Sequence, residues 1–195
     1  MIDLTGYDEV NADGFLPLPP GGYVCKIVNA RLSTSKNGNE TLYVDFDIAQ
    51  GDFSGYFKRS AAETRKRFPD RSWDSNACLP LVTKLNGKIF FRLKKLLENL
   101  KASNSNFFFD KNQQLDERKL IGLSVGAIFK GKERISNNGK AYVNAFICDT
   151  KNVQDIIDGN FSIPDIEHAT DKTAAKNPPG NDFGGSPVDP DDTPF

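Results

Sequence analysis

The stretch Leu42-Tyr43-Val44-Asp45-Phe46-Asp47-Ile48 decides the fold class of this chain of 195 residues. Its apolar side chains recur at every second position, which is the period of a β-strand that buries one face. The apolar residues at 42, 44, 46 and 48 are predicted to face a core, and Tyr43, Asp45 and Asp47 to face outward. The chain is therefore expected to be built on a β-sheet.

Four further strands are predicted around this one. Residues 22–32 are rich in β-branched and aromatic side chains and have apolar residues on both faces, which is typical of a curved strand in a barrel. A turn at Gly51-Asp52 is predicted to lead into a third strand at about residues 53–58. Apolar side chains alternate again over residues 123–129 and 141–147, which predicts the last two strands.

Turn and helix signals complete the order of elements. Asn37-Gly38 and Asn137-Asn138-Gly139 predict tight turns within two hairpins. Apolar residues at helical spacing predict an amphipathic helix over about 88–101, and a short helix is expected near 152–158. Residues 61–87 contain one candidate helical turn and several helix-breaking residues, and they receive no further assignment.

The predicted order of elements is strand, strand, strand, helix, strand, strand. Five strands with a helix between the third and the fourth match the small Greek-key barrel called the OB-fold. The chain is therefore expected to be mainly β, with a five-stranded OB-fold barrel. A sandwich of two sheets with the same elements stays open as an alternative.

Three regions of different composition follow one another along the chain. Residues 1–20 end in an extended, proline-rich segment and carry four acidic residues and no basic one. Residues 164–195 are dominated by Pro, Gly, Asp, Thr and Asn, and they are expected to form a disordered acidic tail. Residues 21–163 are predicted to be the folded domain. The net charge is −1 for the whole chain, −4 for residues 1–20 and −5 for residues 165–195. Residues 21–164 therefore carry a net charge of +8, which favours a polyanionic partner.

Several classes of protein are excluded by what the sequence lacks. No stretch approaches the ~20 apolar residues of a membrane span, and no secretory signal is expected. The three cysteines are odd in number and far apart, so they do not form a disulfide framework or a CxxC metal site, which favours a reducing cytoplasm: Cys25, Cys78 and Cys148. The single histidine, His168, excludes catalytic triads and histidine-rich metal sites.

A protein that binds an unpaired nucleic-acid strand needs cations for the phosphates and exposed rings on which bases stack. In an OB-fold these groups lie on the outer face of strands two and three and in the first and last hairpin loops. The predicted binding residues are Arg31, Lys36, Tyr43, Tyr56, Lys58, Arg59, Lys130, Lys132, Arg134, Lys140 and Tyr142. The basic last hairpin, residues 130–142, is the centre of this prediction.

Two acidic residues on the same predicted face, Asp45 and Asp47, argue against a simple cationic groove because they would repel phosphates. They are expected either to pair with neighbouring Lys or Arg side chains or to lie off the path of the strand. Together with Asp52 they raise the alternative of a nuclease that holds Mg²⁺. Acidic residues on a solvent-exposed face are ordinary, so no metal is expected here and the chain is expected not to be an enzyme.

The last residues, Pro190-Asp191-Asp192-Thr193-Pro194-Phe195, resemble the acidic tip of bacterial and phage single-stranded-DNA-binding proteins. In that family the tip follows a flexible linker and docks on replication and repair proteins. The resemblance implies that Phe195 fills an apolar pocket while its terminal carboxylate pairs with an Arg or Lys. The implied docking residues are Asp189, Asp191, Asp192, Pro194 and Phe195. A tail that serves only solubility is the alternative.

A second resemblance covers residues 21 to 163. Gly22-Tyr23 through Phe57, the helix ending in Glu98-Asn99, and Leu120-Ile121-Gly122-x-x-Val125-Gly126-Ala127 are similar to small OB-fold DNA binders from phage replication modules. The two resemblances imply a protein that binds single-stranded DNA without a cofactor or metal in the cytoplasm of the host cell. Its tail would recruit replication or recombination proteins, and homo-oligomerisation stays open. A replisome adaptor that does not bind DNA and an RNA-binding protein are alternatives.

Overall fold

The computed structural model describes residues 17–70, 73–111, 113–135 and 141–168. The strands in this part of the chain are β1 (Gly21–Thr34), β2 (Glu40–Ile48), β3 (Cys78–Val82), β4 (Lys84–Leu85), β5 (Lys88–Ile89), β6 (Ser124–Ile135) and β7 (Ala141–Lys151). The α-helices are α1 (Tyr56–Arg67), α2 (Phe91–Ser103) and α3 (Val153–Ile157). Short 3₁₀ turns occur at Ser75–Ala77 and Glu117–Leu120.

Five of the strands form one antiparallel sheet in the order β3-β2-β1-β6-β7. Its two edge strands, β3 and β7, contact each other, so the sheet curls into a nearly closed barrel. A bulge between Ile27 and Asn29 lets β1 bend while it pairs with β2 on one side and β6 on the other. The prediction of a mainly β, five-stranded barrel-like architecture is therefore confirmed.

The inside of the barrel is filled by the alternating apolar residues that the sequence predicted. Phe46 of β2 and Val125 and Phe129 of β6 have no exposed surface. Phe57 of α1 and Leu96 of α2 belong to the same buried cluster, so both helices add side chains to the barrel core. Each such side chain stabilises the fold by about 1.5–3 kcal/mol through its removal from water.

The predicted third strand at residues 53–58 is wrong, because α1 begins at Tyr56 after a tight turn. One carboxylate oxygen of Asp47 accepts hydrogen bonds from the backbone N–H groups of Phe57, at 3.0 Å, and Lys58, at 3.4 Å. These are N–H groups of the first helical turn, which have no partner inside a helix. The third strand of the sheet is instead β3, which pairs with β2 from a segment that the sequence left unassigned.

The long amphipathic helix is confirmed, but it begins at Phe91 and not at Lys88. Lys88 belongs to the β4–β5 hairpin, whose turn residues Asn86 and Gly87 have φ angles of 52° and 75°. Two successive positive φ angles define the turn that best matches the twist of a two-stranded hairpin, and Asn-Gly is its preferred sequence. In chain order, α2 follows β3 and precedes β6.

The other predicted elements are present close to their predicted positions. The strand predicted at 22–32 lies within β1, and the alternating segments form β2, β6 and β7. The short helix near 152–158 is α3, and the Asn152 side chain accepts a hydrogen bond from the N–H of Asp155 at its start. The predicted turn Asn137-Asn138-Gly139 lies outside the described residues, although Ile135 pairs with Ala141 on either side of it.

Part of the segment that the sequence assigned to the tail lies against β6. The backbone N–H of Glu167 donates to the carbonyl of Gly131, and the N–H of Glu133 donates to the carbonyl of Glu167. The rest of the tail, including the docking residues Asp189, Asp191, Asp192, Pro194 and Phe195, lies outside the described residues. Among the described helices, none has the length and apolar character that would let it cross a membrane.

Candidate nucleic-acid interface

The outer surface of the β6–β7 hairpin carries the main group of predicted residues. Val125, Ala127 and Phe129 point into the core, so the side chains of Lys130, Lys132 and Arg134 alternate onto the outer side. Their partners across the ladder are Phe146, Asn144 and Tyr142. We define the hairpin face as the surface formed by Lys130, Lys132, Arg134, Tyr142 and Phe146. Lys140, predicted to join it, lies outside the described residues.

Cations and rings lie side by side on the hairpin face. The ammonium nitrogen of Lys130 lies 5.0 Å from the centroid of the Phe146 ring. Arg134 and Tyr142 pair across the ladder and are both exposed. Phe146 was not predicted as a binding residue, but the same alternation that buries Ala145 and Ile147 would have placed it on the outer side.

Glu167 is bound to the lysines of the hairpin face. Its carboxylate accepts a hydrogen bond from Lys130 at 3.1 Å and another from Lys132. The bonds from Lys132 and then from Lys130 lower the pKa of Glu167. The sequence gives no signal for this contact, because it joins residues 35 and 37 positions apart. The Glu167 carboxylate thus pairs with the two lysines that were predicted to bind phosphate.

A second group of predicted residues lies on β1 and β2. The guanidinium carbon of Arg31 lies 5.0 Å from the centroid of the Tyr43 ring. Arg31 also donates a hydrogen bond of 2.7 Å to Asp45, and the Asn29 amide donates to the same carboxylate oxygen at 3.0 Å. Asp45 thereby holds the Arg31 guanidinium over the Tyr43 ring.

The two acidic residues on this face are not the solvent-exposed groups that the sequence suggested. Asp45 is 1% exposed and Asp47 is 8% exposed. Asp45 pairs with Arg31, which is one of the two arrangements predicted for it, and Asp47 holds the first turn of α1. In the residues that the structure describes, no three His, Cys, Asp or Glu side chains come together as metal ligands.

The third group of predicted residues lies on α1 and has a different environment. Tyr56 packs edge-on against Phe53 and Phe57, with ring centroids 6.1 and 5.1 Å away. Burial raises the pKa of Tyr56. It lies on a helix and not on a strand next to Tyr43, so its predicted place on the outer face of strands two and three is wrong. Arg59 donates to the carbonyl of Ser54 at 2.5 Å, and Lys58 is exposed.

The first hairpin loop brings Lys36 to one end of this surface. Lys36 is exposed between β1 and β2, where Gly38 has a φ of 76° and its N–H donates to the carbonyl of Ser35. The contact between β3 and β7 brings the two ends of the sheet together around the barrel. The structure therefore places two of the three groups, those on β1–β2 and on β6–β7, on strands of one barrel.

Comparison of the sequence with models of known protein families and with curated proteins gives no match.

Proposed function

We propose that this protein binds single-stranded DNA with little sequence preference. The observation that carries the proposal is the hairpin face, where Lys130, Lys132 and Arg134 alternate along one strand beside Tyr142 and Phe146 on the next. Cations that follow the phosphates and rings that accept bases are the two elements of sequence-tolerant binding to single strands. Every base offers a flat face, so stacking on such rings needs no particular sequence.

We also propose that the barrel is an OB-fold. Its support is the strand order β3-β2-β1-β6-β7 with contact between the outer strands, and the place of α2 between the third and fourth strands of the sheet. OB-fold barrels bind oligonucleotides on the face of strands two and three and in the loops at either end of it. Tyr43 lies on the second strand and Lys36 in the loop before it, and Arg31 of the first strand covers the Tyr43 ring.

The proposed biological setting is replication or recombination of phage DNA in the cytoplasm of the host cell. The charge of +8 on residues 21–164 suits a polyanion, and the acidic tail ending in Phe195 suits recruitment of replication proteins. The proposed role is binding and recruitment, without catalysis.

Titration of the full chain with labelled oligo-dT and with a duplex of equal length tests this function. We expect saturable binding of the single strand, and the logarithm of its affinity should fall linearly with the logarithm of the salt concentration. Such a salt slope reports phosphate contacts that release counterions. We expect much weaker binding of the duplex. Absence of saturation at low salt would contradict the proposal and favour the adaptor alternative, whereas equal affinity for the duplex would contradict preference for single strands.

Replacing Glu167 with glutamine is expected to strengthen binding of single strands. Phosphates must displace the Glu167 carboxylate from Lys130 and Lys132, and the substitution removes that competitor. Exposed ion pairs are weak and screened by salt, so we expect a modest affinity gain, about two- to fivefold at low salt. Fluorescence anisotropy with oligo-dT measures it.

The matched control is Glu63→Gln, which makes the same change of charge at a carboxylate paired with Lys66 on α1. An equal gain in both variants would show that only net charge matters and would contradict a specific role for Glu167.

A further inference from the structure

The β4–β5 hairpin and the first residue of α2 present exposed apolar and basic side chains together. Leu85 and Ile89 are about half exposed, and Phe91 is 67% exposed. Leu85 lies opposite Lys88, and Ile89 lies opposite Lys84. We define the wing as residues 84–91. Isolated exposed apolar residues are normal on protein surfaces, but three within eight residues on one projecting element are not explained by packing.

Hydrogen bonds join the residues on both sides of the wing to the barrel. The N–H of Thr83, just before it, donates to the carbonyl of Glu40 at the start of β2, and the N–H of Phe90 donates to the carbonyl of Thr83. On its other side, Arg92 of α2 donates to the carbonyl of Cys148 in β7. Since Glu40 directly follows the loop that contains Lys36, the wing stands next to that end of the proposed DNA surface.

The chain segment that contains the wing carries only basic charges. Residues 75–97 contain five basic side chains and no acidic one: Lys84, Lys88, Arg92, Lys94 and Lys95. Arg92 and Lys95 are bound to β7, through Cys148 and Asp149. Lys84 and Lys88 have no ion-pair partner among the residues that the structure describes. Two lysines next to exposed apolar side chains complement a chain of phosphates and bases.

The face of the wing that carries Lys84 and Ile89 is less suited to a polyanion than the face that carries Leu85 and Lys88. Lys84 and Ile89 border a groove of about 790 Å³ whose wall also contains Glu40 and Glu98. These carboxylates would repel phosphates. The residues on the opposite side of the hairpin, Leu85 and Lys88, are not part of this groove wall.

We propose that the wing is a second contact element for the same single strand, with Lys88 at a phosphate and Phe91 stacked on a base. This inference rests on the proposed function and extends the bound strand beyond the barrel surface. The wing then adds affinity only for strands long enough to reach it. A strand that covers the barrel surface alone binds without it.

The double variant Lys88→Gln/Phe91→Ala tests the wing with two lengths of oligo-dT. One oligonucleotide has about 8 nucleotides, within the range that one OB barrel covers, and the other has about 30. We expect affinity for the longer one to fall roughly 5- to 30-fold and affinity for the shorter one to stay unchanged. The control is Lys119→Gln/Phe108→Ala, because both residues are exposed and Phe108 is 74% exposed.

The outcomes separate the inference from the proposed function. If the unchanged protein binds neither oligonucleotide, the proposed function fails. If it binds both and the wing variant binds the longer one as tightly as the control does, the wing inference fails while the proposed function stands. A loss of equal size with both lengths would also overturn the wing as a contact that lies beyond the barrel surface. Circular dichroism of both variants checks that the fold is retained.

Discussion

Replacing Lys130, Lys132 and Arg134 together with glutamine is expected to reduce affinity for oligo-dT roughly 100-fold at low salt, if each cation contributes about 1 kcal/mol. All three lie on the outer side of β6, next to the strand β7 that carries Tyr142 and Phe146. Each phosphate contact with a single strand adds about 0.7 to the slope of log affinity against log salt, so the slope should fall by about 2. A titration series across salt concentrations measures both quantities.

The control for the triple variant removes three exposed lysines elsewhere, Lys101, Lys111 and Lys119. It changes the net charge by the same amount but leaves the hairpin face intact. We expect only a small change of affinity, from the weaker overall field. If the two triple variants lose the same affinity and the same slope, DNA does not track the hairpin face and the site assignment is wrong.

Replacing Phe129 with alanine is expected to lower the free energy of unfolding by about 3–5 kcal/mol. Phe129 has no exposed surface, and its ring stacks on Phe57 at 5.5 Å and meets Tyr23 edge-on at 5.7 Å. The substitution leaves a cavity where β1, β6 and α1 meet. For a chain of this size the midpoint of thermal unfolding should fall by roughly 6–20 °C. Thermal and denaturant unfolding measure it.

The matched control is Phe108→Ala, since Phe108 is 74% exposed and lies outside the buried cluster. We expect it to change the free energy of unfolding by less than about 0.5 kcal/mol. A loss of similar size in both variants would show that the aromatic cluster around Phe129 does not stabilise the barrel as described.

The period of apolar residues predicted the strands well because each strand buries one face against a single core. β2 is the clearest case, since Phe46 and its apolar neighbours at every second position are all buried. The cations Lys130, Lys132 and Arg134 were predicted as part of the last hairpin loop, and the structure places them on β6, which runs to Ile135. Local turn chemistry was equally informative at Asn37-Gly38, where the hairpin turn is confirmed.

The third strand was mispredicted because the deciding interaction is not local. Phe53 and Phe57 suggest a strand when read alone, but the Asp47 carboxylate reaches the backbone of Phe57 ten positions later and completes the first turn of a helix. The helix then buries Phe57 against Phe129. Tyr56 was misplaced for the same reason, since its predicted place on an outer face assumed a strand at residues 53–58.

By itself, the sequence determined the β architecture, the positive charge of the middle of the chain and the alternation that places Lys130, Lys132 and Arg134 on one face. These follow from short periods and composition, which need no knowledge of distant contacts. Only the tertiary structure decided that Asp45 holds Arg31 over Tyr43, that Asp47 starts α1 and that Glu167 covers two lysines. Each of these contacts depends on the position of a charged side chain relative to residues at least ten positions away, and that position is set by how the barrel closes.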